Sequence, residues 1–238
     1  MTKLRRSPAK RSPPPVGGLP LGKDGGLERS GRRVNRKPRA RPVGAEARRE
    51  AILKAALAVF SERGFAAARL DDVAAKANVA KGTVYLYFPH KEALFEALVR
   101  GAVSPLLTEA TAAAARDLPL PVFLRRFFDL FRTEVLGTER RFIVRLVLAE
   151  GTRFPAIAEF YHREVVSRAM ALMRTVAEQA VRRGELSDDA VVRFPQLIVA
   201  PLLVAVLWDG LFGRFEPLDV EGLLDAHTEL LTQRKAKP

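Results

Sequence analysis

The stretch VAKGTVYLYFPHKEALF, residues 79–95, decides the fold of the first part of this chain. Pro89 cannot continue a helix, so the apolar run before it predicts one short helix over residues 81–88. Val84 and Phe88 stand four residues apart on that helix and share a face, so we expect both to pack inward. The other side carries lysine, glycine, tyrosine and leucine, and is either core or a surface that contacts another molecule.

The residues before this stretch predict another short helix and a tight turn. LDDVAAKANV favours a helix from about Leu70 to Ala77, and Asn78 tolerates the left-handed conformation that a tight turn needs. A longer helix precedes both in EARREAILKAALAVFSERGF, with Gly64 as its stop. Its apolar stripe consists of Ile52, Ala55, Ala56, Val59 and Phe60. Two short helices joined by a three-residue turn behind a longer helix are the outline of a helix-turn-helix DNA-binding unit.

The outer face of the second short helix suits contact with DNA. Gly82 lets the backbone approach closely, while Tyr85 and Leu86 can press on thymine methyl groups. Lys91 opens the next helix, where its ammonium group and the free backbone N–H groups can both meet a phosphate. Hydroxyl groups that can hydrogen-bond to phosphate oxygens are carried by Thr83, Tyr85 and Tyr87. Tyr87 also serves as core, either alone or together with its phosphate contact.

The remainder of the chain also predicts helices. From Ala45 onward one helical pattern follows another and no segment alternates with period two, so we predict an all-α fold. The last two helices are expected at about residues 189–212 and 219–234. Pro195 and Pro201 imply that the first of these two is kinked or starts late.

Composition bounds the class of protein. The chain has 238 residues and is 48% hydrophobic, so it can bury a sizeable core in one large or two small domains. Cysteine is absent, which excludes disulfides, thiolate metal sites and a cysteine nucleophile and fits a reducing cytoplasm. The N-terminus lacks the apolar segment of a secretory signal, so we expect a cytoplasmic protein.

Positive charge is concentrated at the N-terminus. Residues 1–44 hold thirteen Lys and Arg against Asp24 and Glu28, which is +11 of the net charge of +13. They are rich in Pro, Gly and Arg without apolar periodicity, so we predict a disordered basic tail. Such a tail suits an anionic partner, either nucleic acid or a membrane surface. It is either a leader without function or an arm that follows DNA phosphates.

The segment GFAAARLDDVAAKANVAKGTVYLYFPHKEALFEAL resembles the DNA-binding domain of TetR-family transcriptional regulators, in an AcrR-like form. The match covers about residues 45–99 and rests on the Gly-Phe pair, the Asp-Val-Ala-x-x-Ala run and KGTVYLYFPHKEAL. The resemblance implies a homodimer, with about nine helices in each chain, that represses transcription until a small molecule releases it from a palindromic operator. It assigns residues 45–92 to DNA binding and residues 93–238 to ligand binding and dimerisation.

The resemblance also implies roles for individual residues of the helix-turn-helix, at about residues 70–89, and its flanks. The base-side contacts fall to Lys81, Gly82, Thr83, Tyr85 and Leu86. The phosphate contacts fall to Tyr87 and Lys91.

Three positions depart from the family pattern. Arg69 stands where the family usually has a capping Ser or Thr, and it cannot cap, although it can still meet a phosphate. Ala80 replaces a frequent Ser, and such a lost cap costs about 1 kcal/mol. His90 replaces a small polar residue before Lys91. Together these changes predict a DNA-binding unit that is less stable than average when free of DNA.

No specific motif marks the second half, so its sites are predicted from physical chemistry. Ligand cavities are mostly apolar with a few polar anchors, and large apolar side chains are abundant there. The candidate lining residues, most of which are also expected to serve as ordinary core, are Phe127, Phe131, Phe142, Phe160, Tyr161, His162, Met173 and Trp208. Glu150 and Arg153 are further candidate anchors. His162 and Glu164 stand two residues apart and do not share a helix face, so we predict no metal site.

The segment from Leu197 to Trp208 is twelve uncharged, mostly apolar residues. A membrane span needs about 20 residues, so a buried helix is the better interpretation. A single chain rarely surrounds one of its last helices, so we expect a second subunit to cover one face and the last two helices to form a four-helix bundle with their copies. The candidate interface residues are Leu203, Leu207, Leu223, His227 and Leu230.

The leading interpretation is therefore a ligand-responsive repressor that needs no cofactor. The alternative is an architectural DNA-binding protein that uses the basic tail and ignores small molecules. An enzyme is disfavoured because the chain has three histidines, no cysteine and none of the G-x-S-x-G, P-loop or H-E-x-x-H patterns.

Overall fold

The computed structural model describes residues 43–186 and 189–232, and the predicted basic tail lies almost wholly outside these ranges. Within them the chain is helical and contains no strand, which confirms the all-α prediction. The helices are α1 Val43–Ala67, α2 Leu70–Lys76, α3 Lys81–Tyr87, α4 Lys91–Ala114, α5 Leu120–Phe131, α6 Arg141–Glu150, α7 Pro155–Tyr161, α8 Ser167–Arg182, α9 Ala190–Arg193, α10 Gln196–Leu211 and α11 Val220–Thr232. A π-helical turn, Arg132–Leu136, extends α5, and a second one, His162–Val166, joins α7 to α8.

Helix α1 buries the predicted stripe and bends at the predicted stop. Ile52, Ala56 and Val59 are among the stripe residues that are almost completely buried. Gly64 has a φ of 71°, a conformation that costs glycine little. The Oε1 atom of Glu150 would lie 2.8 Å from a Cβ at this position, so an added side chain would also displace that carboxylate.

The turn between α2 and α3 has the predicted left-handed residue. Asn78 has a φ of 52°, and its N–H donates to the carbonyl of Ala75 at 3.2 Å. The N–H of Val79 donates to the carbonyl of Ala74 at 3.1 Å. This pair of bonds is the Schellman arrangement, which satisfies the last carbonyls of α2 and turns the chain directly into α3.

A first hydrophobic core joins the helix-turn-helix to later helices. It contains Phe65, Val84 and Phe95 from α1, α3 and α4. It also contains Ile143 from α6 and Phe160 from α7. Because this core is closely packed, a movement of α6 or α7 would also shift side chains that pack against the helix-turn-helix.

A second core holds together α5, α8, α10 and α11, with buried residues such as Leu124, Met173 and Ile198. Pro195 precedes α10, which confirms the late start, and Pro201 lies inside the helix. None of the helices in the described part of the chain is long and apolar enough to cross a membrane.

Candidate functional site

Helix α3 has one buried face and one face open to solvent. Val84 and Phe88 are almost completely buried, as predicted. Tyr85 and Leu86 are 44% and 82% exposed, and Gly82 is also exposed. An exposed leucine with a neighbouring tyrosine and glycine forms an apolar patch that fits the edge of a major groove.

Lys81 lies at the start of this open face and has an acidic partner. Its Nζ donates to Oδ2 of Asp71 at 2.8 Å, and it lies 5.8 Å from the ring centre of Tyr85. The hydrogen bond that Lys81 donates to Asp71 raises the pKa of Lys81 above its ordinary value, so the side chain remains a cation. Both partners are solvent-exposed, and pairs of this kind contribute little to stability.

Tyr87 and Thr83 lie at the edge of the open face, and both are half-buried. The ring of Tyr87 packs against the first core, and its hydroxyl donates to the carbonyl of Ala45 at 3.3 Å. Tyr87 therefore ties α3 to the first turn of α1. Its phosphate contact remains a prediction.

Lys91 turns back onto the protein at the start of α4. Its Nζ donates to the carbonyls of Phe65 at 2.8 Å and Ala66 at 3.2 Å, which lie after the bend in α1. The same ammonium group lies 4.6 Å from the ring centre of Phe65 and 5.3 Å from that of Phe154. Lys91 thus holds the end of α1 to the start of α4. Its proposed phosphate contact remains a prediction, and it would require an exchange of these carbonyl partners for DNA.

The expected lack of side-chain caps at Arg69 and Ala80 is correct, whereas the third departing position, His90, supplies a cap. Arg69 is exposed, and neither it nor Ala80 makes a side-chain hydrogen bond to the helix that follows it. His90, in contrast, accepts the N–H of Ala93 on its Nδ1 at 3.1 Å. The imidazole nitrogen takes the place of the usual hydroxyl oxygen as acceptor, so α4 is capped.

The second half contains an apolar cavity of ≈ 130 Å³ between α4, α5, α6, α8 and α10. Phe127, Phe131 and Tyr161 line it, as predicted. Each π-helical turn contributes one valine to the wall, Val135 from the first and Val165 from the second. Turns of this type often occur at functional sites because they change which side chains face inward.

Five predicted lining residues lie elsewhere. Phe160 belongs to the first core and Met173 to the second. Phe142 lies beneath the guanidinium groups of Arg141 and Arg145. The two other residues are His162, which is exposed beside the hydroxyl of Ser167, and Trp208, whose indole N–H donates to the carbonyl of Glu216 at 2.7 Å. Phe160 and Met173 do point inward, but helical spacing did not show whether a void or another side chain stands opposite. His162 faces solvent instead.

The polar groups of the cavity differ from the predicted anchors. Glu150 accepts the N–H of Ala66 at 3.5 Å, and Arg153 stacks on Phe154 at 5.5 Å, so neither lines the cavity. Among the described residues that form the wall, polar side chains come from Arg140 and Tyr161. Burial raises the pKa of Tyr161 to about 12, so its hydroxyl stays neutral. Sequence reasoning missed Arg140 because one arginine among 40 Lys and Arg carries no local signal.

The last long helices leave an apolar surface uncovered. Leu203, Leu207 and Leu230 are 43%, 42% and 69% exposed. The other two interface candidates are half-buried, and His227 Nε2 lies 2.8 Å from the carbonyl of Leu197 within the same chain. His227 therefore already connects α11 to α10, whereas the three leucines remain exposed in the described part of the chain.

Comparison with known proteins gives consistent matches across both halves. The family model described as "Bacterial regulatory proteins, tetR family" matches residues 52–98. The model described as "Tetracyclin repressor-like, C-terminal domain" matches residues 123–226. The matched residues include both the helix-turn-helix and most of the cavity wall.

Similar proteins of known sequence and structure cover most of the chain. The HTH-type transcriptional repressor BepR of Brucella suis is 31% identical over 172 residues, which is 70% of this chain and 81% of BepR. The regulator UidR of Escherichia coli is 28% identical over 173 residues, covering 69% of this chain and 82% of UidR. The structure of a SmeT–triclosan complex superposes with a TM-score of 0.62 at 25% identity, covering 77% of this chain and 90% of SmeT.

Proposed function

This chain belongs to the TetR family of bacterial regulatory proteins and regulates transcription by binding DNA, and we propose that it is a homodimeric, cytoplasmic repressor released from a palindromic operator by a small, mostly apolar molecule. The observation that carries the proposal is the pairing of an open α3 face with an apolar cavity on α4. Helix α4 connects the two, because it starts beside α3 and lines the cavity along its length.

The proposed DNA contacts are supported by the exposure of one face of α3. In this proposal, Gly82, Tyr85 and Leu86 on that face would meet the base edges, with Lys81 at one end. Lys91 and Tyr87 lie at its flank, where phosphates would pass if α3 lies in the major groove. Arg69 is exposed before α2 and is a further phosphate contact in this proposal.

The effector proposal rests on the cavity. Its wall is almost entirely aliphatic and aromatic, which favours an apolar ligand. The related SmeT was solved as a complex with triclosan, which is consistent with a small-molecule effector for this chain. We expect the effector of this chain to enter between α4 and α5, where the cavity adjoins a larger groove.

A route from the cavity to the DNA-binding face exists in the contacts at the end of α1. Lys91 at the start of α4 and Glu150 at the end of α6 both hydrogen-bond to the backbone just after Gly64. Both helices also line the cavity. A ligand that separates α4 from α6 would thus move the helix-turn-helix, and the change in spacing between the two copies would lower operator affinity.

The DNA-binding proposal is tested with two single substitutions in the full chain. Tyr85→Ala and Lys91→Ala should each weaken binding to the intergenic DNA beside the gene by about tenfold, because each removes a contact to DNA. Lys91→Ala should also reduce the salt dependence of binding by about one unit of slope, since one phosphate contact is lost. Mobility shifts at several salt concentrations measure both effects.

The matched control is Arg125→Ala, an exposed cation on α5 that is far along the chain from α3. It should leave the affinity unchanged. Unchanged affinity in both Tyr85→Ala and Lys91→Ala would contradict the assigned contacts. A footprint that shows uniform protection instead of a discrete palindrome would favour the architectural DNA-binding protein.

A further inference from the structure

We propose that the effector is an amphipathic molecule with an apolar tail and a carboxylate head, and that Arg140 binds the head. The proposal rests on the proposed function and names the ligand class for its cavity. It is argued from the size of the cavity, from an adjoining polar groove and from the free hydrogen-bond donors that face both.

The apolar cavity is too small to enclose a complete effector. Its volume is ≈ 130 Å³, whereas ligand pockets commonly measure about 300–1,000 Å³. A ligand seated there must therefore extend beyond it. The aliphatic and aromatic wall accepts the apolar part of the ligand and leaves the polar part outside.

A larger groove of ≈ 720 Å³ adjoins the cavity and receives that polar part. The two spaces share wall residues on α4 and α5, among them Leu106, Ala110 and Phe127. They also share Arg140, which therefore stands at the junction. The rest of the groove carries charged side chains, in contrast to the cavity.

The unpaired charges of the groove favour an anion. Among the described residues, Arg116 and Arg126 have no ion-pair partner and both are exposed. The carboxylate of Asp129 is paired with Arg132 at 3.3 Å, outside the groove wall. Two free cations therefore face one free carboxylate, that of Glu109. A cationic head group would meet net repulsion here, and an anionic one would meet net attraction.

Arg140 has donors available for a carboxylate. Its Nη1 donates to Oε2 of Glu134 at 2.6 Å and to the Glu134 carbonyl at 3.4 Å. Its side-chain bonds to the described residues use Nη1 alone, so Nη2 and Nε can meet the two oxygens of a ligand. Glu134 lies on the first π-helical turn and is the internal carboxylate that such a ligand would replace or join.

Tyr161 supplies a second donor inside the cavity. Its hydroxyl has no hydrogen-bond partner among the residues that the structure describes. The Tyr161 side chain is half-buried, and its neutral hydroxyl can donate to a ligand oxygen. The site therefore has one neutral donor within the apolar space and one cation at its mouth.

The test uses three probes with the same twelve-carbon chain and different heads: dodecanoate, dodecanol and dodecyltrimethylammonium. Calorimetric titration into the full chain, below the micelle concentration of each probe, measures the affinities. We expect dodecanoate to bind at least about tenfold more tightly than dodecanol, which is the effect of one charge-assisted hydrogen bond. Equal affinity for the acid and the alcohol, preference for the ammonium probe, or no binding of any probe would overturn the proposal.

Single substitutions distinguish binding of the head group from binding of the tail. Arg140→Gln should weaken dodecanoate binding by about tenfold to a hundredfold and leave dodecanol binding unchanged. Glu134→Gln removes the internal competitor and should strengthen dodecanoate binding. Arg125→Gln, on α5 but outside both spaces, is the control and should change neither affinity. An Arg140→Gln variant that keeps the full preference for the acid would contradict the role of Arg140. If Arg140→Gln does not fold, the Glu134→Gln variant still tests whether this ion pair competes with the head group.

Mobility shifts without any probe are run in parallel. Loss of specific DNA binding would overturn the proposed function whatever the probes do. Specific DNA binding without the acid preference would overturn only the ligand class.

Discussion

At the scale of single residues, three of the groups that are proposed to contact DNA already have hydrogen-bond partners within the protein. Lys81 is paired with Asp71, Lys91 with two carbonyls, and Tyr87 with a third. The proposed DNA contacts would therefore require an exchange of these partners. The exposed Lys81–Asp71 pair costs little to break, whereas Lys91 leaves carbonyls that then need another donor. We infer that Lys81 exchanges its protein partner for a DNA contact more readily than Lys91 does.

Gly82 permits a prediction that separates stability from binding. A Cβ at this position would meet no heavy atom within 4 Å in the free protein. Gly82→Ala should therefore leave the melting temperature unchanged or slightly higher, since alanine favours the helix by up to about 1 kcal/mol. It should weaken operator binding by about tenfold or more, because the added methyl group lies between α3 and the DNA. Thermal melts and mobility shifts on the same protein measure the two effects.

Gly101 provides the control for this substitution. It also has no neighbour within 4 Å of a Cβ, but it lies in the middle of α4. Gly101→Ala should leave DNA affinity unchanged. Full operator affinity in Gly82→Ala would show that the backbone of α3 does not approach the DNA closely.

At the scale of elements, the ends of the helices decide how firmly each is held. Helix α2 ends in the Schellman turn, and α4 starts with the cap from His90. Helix α3 has neither a side-chain cap nor the length to be stable alone, so it depends on Val84 and Phe88 for its position. Its first turn is the place where a small change should have a measurable effect.

We predict that Ala80→Ser stabilises the protein. Ala80 already has the extended backbone of a capping residue, with φ −63° and ψ 143°, so a serine hydroxyl can accept an N–H of the first turn without rearrangement. The free energy of unfolding should rise by about 0.5–1 kcal/mol in urea titrations. The reverse change at the capped helix, His90→Ala, should lower it by a similar amount. No gain in Ala80→Ser would indicate that the first turn of α3 is not limiting.

The start of α5 is capped from a distant part of the chain. Glu185 Oε2 accepts the N–H of Leu120 at 2.6 Å, and its Oε1 pairs with Arg183 Nε at 2.6 Å. The hydrogen bond from Arg183 lowers the pKa of Glu185 below its ordinary value. The ionised carboxylate therefore stabilises the fold above the unfolded-state pKa of about 4.3, and this stability is lost as the pH falls through the lower folded pKa.

It follows that Glu185→Gln should destabilise the protein by about 1–2 kcal/mol at neutral pH, since a charge-assisted bond is replaced by a neutral one. The difference from the parent protein should shrink as the pH is lowered below about 4, where the parent carboxylate also becomes neutral. Urea titrations at several pH values measure it. Glu178→Gln, an exposed change on α8, should have no effect at any pH, and a pH-independent cost in Glu185→Gln would contradict the electrostatic explanation.

At the scale of the whole molecule, α10 borders the cavity on one side and has exposed leucines on the other. Val199, Leu202 and Leu203 form one wall of the cavity, while Leu207 and other residues of the same helix are exposed. A second copy packed on this face would cover the leucines and would also press on the cavity wall. Ligand binding and the geometry of the dimer are then coupled through a single helix.

Leu207→Glu should therefore convert the protein to a monomer. Two unpaired carboxylates at the centre of a symmetric interface cost about 3–5 kcal/mol each, which weakens association by a hundredfold or more, as an order-of-magnitude estimate. Sedimentation or light scattering gives the mass, and operator affinity should fall in parallel because only one half-site can be bound at a time. The control is Leu148→Glu on α6, whose leucine is comparably exposed at 46%. A dimeric Leu207→Glu variant would place the interface elsewhere.

The sequence by itself determined the helix-turn-helix. Pro89, Asn78 and the spacing of Val84 and Phe88 act over a few residues, through backbone sterics and helical period, so their consequences are readable without a fold. The same reasoning located the uncovered leucines of α10, because a long apolar helix near the end of a chain exceeds what one chain can bury.

Only the tertiary structure decided which apolar face borders a void. Phe127 and Met173 both stand on inward faces, yet Phe127 lines the cavity and Met173 is packed on all sides. Helical period gives the direction of a side chain relative to its own helix, while a cavity depends on how several helices fail to fill the space between them. The position of Arg140 at the mouth of that space, and the inward turn of Lys91, follow from the same long-range packing.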